Sequence, residues 1–241
     1  MASAPIQQYV PRLVREWDDQ APGALHRCIE GSMVFVDVSG FTKMSERLAR
    51  HGKVGAEEVT EVIGATFERL LAEAYSYGAS LLKFGGDALL LFFPGEGHPL
   101  RACAAATEMR QALREIGRFQ TTAGKVLLRM SVGVHSGAFD FFLVGGSHRE
   151  LIVAGPAATE TTNMESAASA GQVLVSRATA GVLPRENVGR ELGPGFLLAG
   201  HIHHAPRSDF EPAQTREDLD QFIPRGLRDS LSTGEVEAEH R

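Results

Sequence analysis

The sequence predicts a mixed α+β domain, a sheet with helices packed on it. Two observations carry that prediction. Short apolar runs of strand length alternate with longer stretches whose apolar residues recur at helical spacing. Glycine-containing turns join at least two pairs of those runs as hairpins, and no internal repeat is present. The 241 residues are 43% hydrophobic and 22% charged, enough for a real core.

Taken in order, Met33–Val38 (MVFVDV) reads as a buried strand interrupted by one acid. Ser45–Tyr75 carries helical spacing broken around His51-Gly52, which predicts two successive helices. Ala79–Phe93 (ASLLKFGGDALLLFF) places two β-prone runs around Gly85-Gly86, a pair able to adopt the positive φ of a tight hairpin turn. Leu100–Arg118 is a further helix, and Val126–Gly145 reads as strand, turn at Ser136-Gly137, strand. A short strand at Leu151–Ala154, a helix from about Ala157 to Ala168 and a strand at Val173–Ser176 follow.

The expected organisation is a helical lead-in over 1–29, a globular domain over 30–200 and an acidic linker or tail over 201–241. That tail holds nine acidic against five basic residues and prolines at 206, 212 and 224, so it carries most of the net charge of −6. The acidic balance argues against nucleic acid as a partner, since phosphate backbones reward clustered Lys and Arg. No run approaches the roughly 20 apolar residues of a membrane span, and the N-terminus lacks the layout of a secretory signal. Two cysteines, Cys28 and Cys103, form neither a disulfide framework nor a thiolate metal site. A cytoplasmic location is the simplest expectation.

Two acids stand inside apolar strand surroundings. Asp37 ends MVFV-D-V, and Asp87 opens the second arm of the Gly-Gly hairpin. Either alone fits a turn or capping aspartate. Should they converge, one on a central strand and one on its neighbouring hairpin, they would form the paired carboxylates that hard divalent cations bind. Ser39-Gly40-Phe41-Thr42 runs from a strand into a helix, so backbone N–H groups converge as a phosphate would need. Lys83 reads either as an exposed edge lysine or as a donor to a purine ring, and spacing across the turn leaves its facing open. His135 fits a hydrogen-bonded strand histidine. His201, His203 and His204 lack a matching acid or cysteine for a transition metal, and Phe92, Phe93, Phe141 and Phe142 fit core or interface.

FVDVSGFTKMSERL, then KFGGDALLLFF, then SVGVHSG and VAGPAATETTNMES together resemble the catalytic domain of class III adenylyl/guanylyl cyclases. The likeness runs in order over about residues 30–180 and implies a mainly antiparallel sheet with flanking helices and a ferredoxin-like core. It implies Asp37 and Asp87 as ligands of two Mg²⁺ (or Mn²⁺) ions with help from the Val38 carbonyl. Ser39, Gly40, Phe41 and Thr42 would hold the triphosphate. It also implies Lys83 as the adenine-reading residue, where guanylyl cyclases usually carry Glu, and so ATP as substrate, with cyclic AMP and pyrophosphate as products. The reaction it implies is attack of the ribose 3′-hydroxyl on the α-phosphorus with expulsion of pyrophosphate, at a site shared between two cyclase domains.

The second half of that pattern is missing here. The positions of the expected Asn and Arg fall on Thr159 and Asn163, the base-selecting position on Ile152, and a further family arginine on Ala138. No Lys or Arg occurs from Glu150 to Ser176. The resemblance is therefore to the first domain of tandem soluble-adenylyl-cyclase-like proteins. It implies a homodimer or tandem pseudo-heterodimer whose other domain brings Asn and Arg, with EVEAEHR as the linker toward it and weak activity for the chain alone. The alternative is a catalytically inactive pseudo-cyclase that regulates or dimerises with a partner domain. Gly85-Gly86-Asp87 also resembles the start of the diguanylate cyclase signature, but Ala88 and Leu89 replace its Glu and Phe.

Overall fold

The computed structural model describes residues 10–146, 149–202 and 205–207. In chain order they form α1 (Arg12–Arg15), α2 (Trp17–Gln20), β1 (His26–Ser39), α3 (Phe41–Ala49), α4 (Gly52–Ser76), β2 (Ser80–Gly85), β3 (Ala88–Pro94), α5 (His98–Ile116), β4 (Arg118–Thr121), β5 (Gly124–Leu127), β6 (Arg129–Val144), β7 (Glu150–Ala154), α6 (Pro156–Ala167), β8 (Val173–Ser176), α7 (Arg177–Ala180), β9 (Val188–Leu192) and β10 (Gly195–Leu198). They divide into two compact units, the smaller holding described residues 10–29 and 140–154, the larger 30–139 and 155–207.

In the larger unit the strand order is β2-β3-β1-β6-β8-β10-β9. Strands β1 and β2 each pair antiparallel with β3, β10 pairs antiparallel with β8 and β9, and β6 pairs parallel with β8. The sheet is mixed and mainly antiparallel, as the sequence predicts. Helix α3 buries Phe41, Met44 and Leu48 at helical spacing, and α4 buries Val62, Phe67, Leu70 and Ala74. Helix α5 has no polar face over Ala102–Ala106, because all five residues are buried between sheet and α4 in one core with Val34, Val36, Leu89 and Leu91. Arg101, buried at the start of that run, donates to the carbonyls of Glu96, Tyr77 and Pro94. Among the described residues no helix is long and apolar enough to cross a membrane.

The expected turn at Ser136-Gly137 does not exist, for β6 runs unbroken through both residues. Glycine there reads as a breaker in sequence, but Ser136 is buried and its hydroxyl is tied into a hydrogen-bonded file that joins β6 to β1 and α7. The file runs from His98 Nδ1 to Ser32 Oγ (2.8 Å), Ser136 Oγ (2.7 Å), Thr179 Oγ1 (3.0 Å), Ser176 Oγ (3.1 Å) and His135 Nδ1 (2.8 Å). All four hydroxyls are buried, which is tolerable because each has partners. The β4–β5 hairpin and the β9–β10 pair add to the predicted strands: RFQT, GKVL and VGREL interrupt short runs with charged residues, unlike the apolar LIVA and VLVS of β7 and β8.

The smaller unit contains α1, α2, the start of β1, the end of β6 and β7. Strand β7 pairs antiparallel with Asp140–Val144. Trp17 is fully buried, donates its indole N–H to Ala24 O (2.7 Å) and carries the Arg27 guanidinium over its ring. His26 stacks on Phe142 and meets Asp140 at 2.8 Å. Cys28 and Cys103 are both free thiols. The 201–241 segment, with His203 and His204, lies outside the described residues except for 201, 202 and 205–207, of which His201 pairs with Glu108 (3.3 Å).

Candidate functional site

Asp37 lies near the C-terminal end of β1, and Asp87 in the turn entering β3. Antiparallel pairing sets Asp37 opposite Ala88, and the Val38 N–H donates to the Asp87 carbonyl at 2.9 Å. The ladder thus brings the two acids to adjacent positions on neighbouring strands. The turn itself is Gly86-Asp87, with Gly86 in the left-handed region at φ +74°, while Gly85 stays paired with Ala88.

Burial first, and then the negative charges of Asp87 and Glu165, push the Asp37 carboxyl above the usual carboxylate range. Glu165, on α6, had no signal in the sequence. It reaches this neighbourhood because α6 packs on β6 at Gly133, where a Cβ would lie 2.3 Å from the Glu165 nitrogen and 2.5 Å from the Thr161 oxygen. Ser131 Oγ holds the Glu165 carboxylate at 2.7 Å.

The loop after Asp37 is built from its own sequence. Gly40 takes φ +102°, and a Cβ there would meet the Leu127 carbonyl oxygen at 2.8 Å, so only glycine lets the chain turn from β1 into α3 at this place. No side chain caps α3, which leaves its first N–H groups open. Thr42 Oγ1 donates to Asp87 Oδ2 at 3.4 Å, joining the loop to the second acid. Ser39 Oγ donates instead to the Arg129 carbonyl at 3.2 Å, an anchor to β6. The Phe41 ring is buried and stacks on Phe67, which meets Phe84 edge-on. That row of rings fixes α3 against the hairpin carrying Lys83 and Asp87, so Phe41 can offer the loop only its backbone.

The structure thus unites Asp37, Val38, Asp87, Gly40 and Thr42. Lys83 stands on β2, opposite Leu90 after a bulge, exposed and without a hydrogen bond or ion pair among the described residues. Thr159 and Asn163 are exposed one turn apart on α6, and Thr159 Oγ1 donates back to the Gly155 carbonyl. No group of three or more His, Cys, Asp or Glu side chains able to hold a metal occurs among the described residues, so any cation here would take the remaining ligands from backbone, water or substrate.

The adenylate and guanylate cyclase catalytic domain family matches residues 26–195. The chain belongs to that family. Among curated relatives, adenylate cyclase type 10 of Mus musculus is 26% identical over 176 residues, 71% of this chain and 11% of the relative. The Homo sapiens protein of that name is 27% identical over 152 residues, 61% of this chain and 9% of its own length. This cyclase domain thus spans about a tenth of the length of those relatives. A crystal structure of a guanylyl cyclase superposes with TM-score 0.61 at 25% identity, covering 74% of this chain and 94% of that one. The adenylyl cyclase CyaB from P. aeruginosa gives TM-score 0.58 at 19% identity, covering 73% and 97%, a likeness of fold.

Proposed function

We propose that this cyclase domain supplies the metal-binding half-site for converting ATP to cyclic AMP and pyrophosphate, the other half coming from a second cyclase domain. The observation that carries the reading is the adjacency of Asp37 and Asp87 beside the uncapped start of α3. The donor set fits Mg²⁺ or Mn²⁺: two hard carboxylates whose mutual repulsion a divalent cation relieves, with the Val38 carbonyl as a further oxygen ligand. When bound, two such ions lower the pKa of the ribose 3′-hydroxyl and neutralise charge on the phosphates.

The chain's own residues then have distinct tasks. Asp37 and Asp87 would hold the divalent ions where the end of β1 meets the turn into β3. The Gly40–Thr42 backbone accepts the terminal phosphates at a helix start, where N–H groups and the helix dipole favour negative charge. Thr42 holds Asp87 in place, and Ser39 holds the loop to β6. Lys83, free at the hairpin, donates to the adenine ring and favours ATP over GTP.

Titration of the full chain with Mn²⁺ and ATP in a calorimeter, beside Asp37→Ala and Asp87→Ala, tests the reading. Metal-dependent ATP binding lost in both variants supports it, and binding unchanged in both overturns it. A second reading, a pseudo-cyclase that only regulates a partner, is favoured by one specific observation: α6 carries Thr159 and Asn163 and no cation at all. Cyclic AMP production upon adding a cyclase domain that bears the Asn and Arg, abolished by Asp37→Ala, separates the two.

A further inference from the structure

Apart from the nucleotide half-site, the larger unit has a cavity of about 470 Å³ at the C-terminal end of α5. Four arginines line it: Arg110, Arg114, Arg118 and Arg129. Their convergence follows from the fold. Arg110 and Arg114 are one turn apart on the same face of α5, Gly117 ends the helix, Arg118 opens β4, and Arg129 opens β6. We propose that this cavity binds a small polyanion carrying at least two phosphate groups, a site independent of the cyclase reading above.

The charge balance points to an anion. No Asp or Glu lines the cavity, and none of the four guanidinium groups makes an ion pair or hydrogen bond among the described residues. Like charges at this helical spacing destabilise a helix. Arg110 is half-buried, and burial together with the neighbouring Arg114 lowers its affinity for its proton. Gln172 also lines the cavity, its Oε1 accepting from the Ser169 N–H (2.9 Å). The lining therefore offers many donors and four positive charges with no acid among the described lining residues to neutralise them. Guanidinium forks pair two-pronged with phosphate oxygens, and the volume is that of a small-molecule pocket rather than of a macromolecular groove. Leu113, Leu128 and Met130 supply an apolar floor.

The cavity is distinct from the half-site yet backs onto it. Its Leu127–Arg129 wall is also the segment against which Gly40 turns and to which Ser39 is anchored, while no lining residue belongs to the nucleotide loop or the acids.

The test is calorimetric titration of the full chain with inorganic pyrophosphate in EDTA, which removes the divalent ions that the half-site needs. We expect saturable one-to-one binding, weakened about tenfold or more for each arginine removed in Arg110→Gln and in Arg110→Gln/Arg114→Gln. Arg190→Gln, an exposed arginine on β9, should bind as the parent does. The double variant relieves like-charge repulsion, so its thermal midpoint should hold or rise, and lost binding with an intact midpoint places the loss in the cavity. Citrate is the second probe and should bind at least about tenfold more weakly than pyrophosphate, while equal affinity overturns the assignment to phosphate. No saturable binding at millimolar pyrophosphate, or binding that the double variant leaves unchanged, overturns the site itself.

Discussion

Asp37 is the residue whose environment is hardest on its charge. Its carboxyl holds a proton more tightly in the folded chain than in the unfolded one, because of burial first and then Asp87 and Glu165. The folded state therefore binds more protons through the carboxylate range, and stability without metal falls as pH rises through that range. Asp37→Asn should raise the thermal midpoint at neutral pH in EDTA and abolish the further rise that Mn²⁺ gives the parent, both read by differential scanning fluorimetry. A lower midpoint in EDTA would show that Asp37 is held by a favourable partner instead. Gly133 is the opposite kind of residue, chosen for what it lacks. A Cβ there would press into the backbone of α6, so Gly133→Ala should cost about 1–3 kcal/mol in denaturant unfolding.

At the scale of elements, the half-site reading makes α6 the element that would decide whether this domain acts with a copy of itself. Thr159 and Asn163 occupy one exposed face of it, one turn apart. Thr159→Asn with Asn163→Arg should raise cyclic AMP formation by the purified chain, by on the order of 10²–10³ for each donor restored. An unchanged rate would assign the defect to another element. The same scale shows what was legible in sequence. Asp37 and Asp87 could be read because each sits in a short apolar run beside glycines, a local signal that strand pairing then turned into proximity. Helices α3 and α4 were legible because their apolar residues recur over many turns. Glu165 and the four arginines around the cavity were not, since their meeting depends on which face of α5 and α6 packs on which strand. Ser136-Gly137 misled for a related reason: a buried hydroxyl with partners on two other elements looks, in sequence, like a turn.

At the scale of the whole molecule, acid should undo the larger unit through its two half-buried histidines. His98 and His135 both resist protonation, mainly through burial; Glu30 opposes this at both, Arg101 adds to it at His98, and Glu160 opposes it at His135. The unfolded chain then binds more protons below the ordinary value of 6.5, so stability should be full above it and fall as pH drops beneath it. Urea unfolding between about pH 5 and 7.5 measures this, and His98→Gln/His135→Gln should flatten the dependence.

The file of hydroxyls joining those histidines has a sense of direction. Thr179 gives its hydroxyl hydrogen to Ser136, so the hydrogen between Ser176 and Thr179 comes from Ser176. Ser176 also accepts from the Thr179 N–H (3.2 Å), which leaves it only a lone pair for His135, whose Nδ1 must donate. At the far end either hydroxyl can donate between Ser136 and Ser32, and Ser32 meets His98 Nδ1 as donor or acceptor according to that ring's tautomer. Neutral His135 is therefore protonated at Nδ1, a tautomer that nitrogen chemical shifts report directly; a neutral ring protonated at Nε2 would refute the ordering. Three adjacent strands, β1, β6 and β8, are thus tied by one line of buried hydroxyls whose hydrogens are ordered at its β8 end.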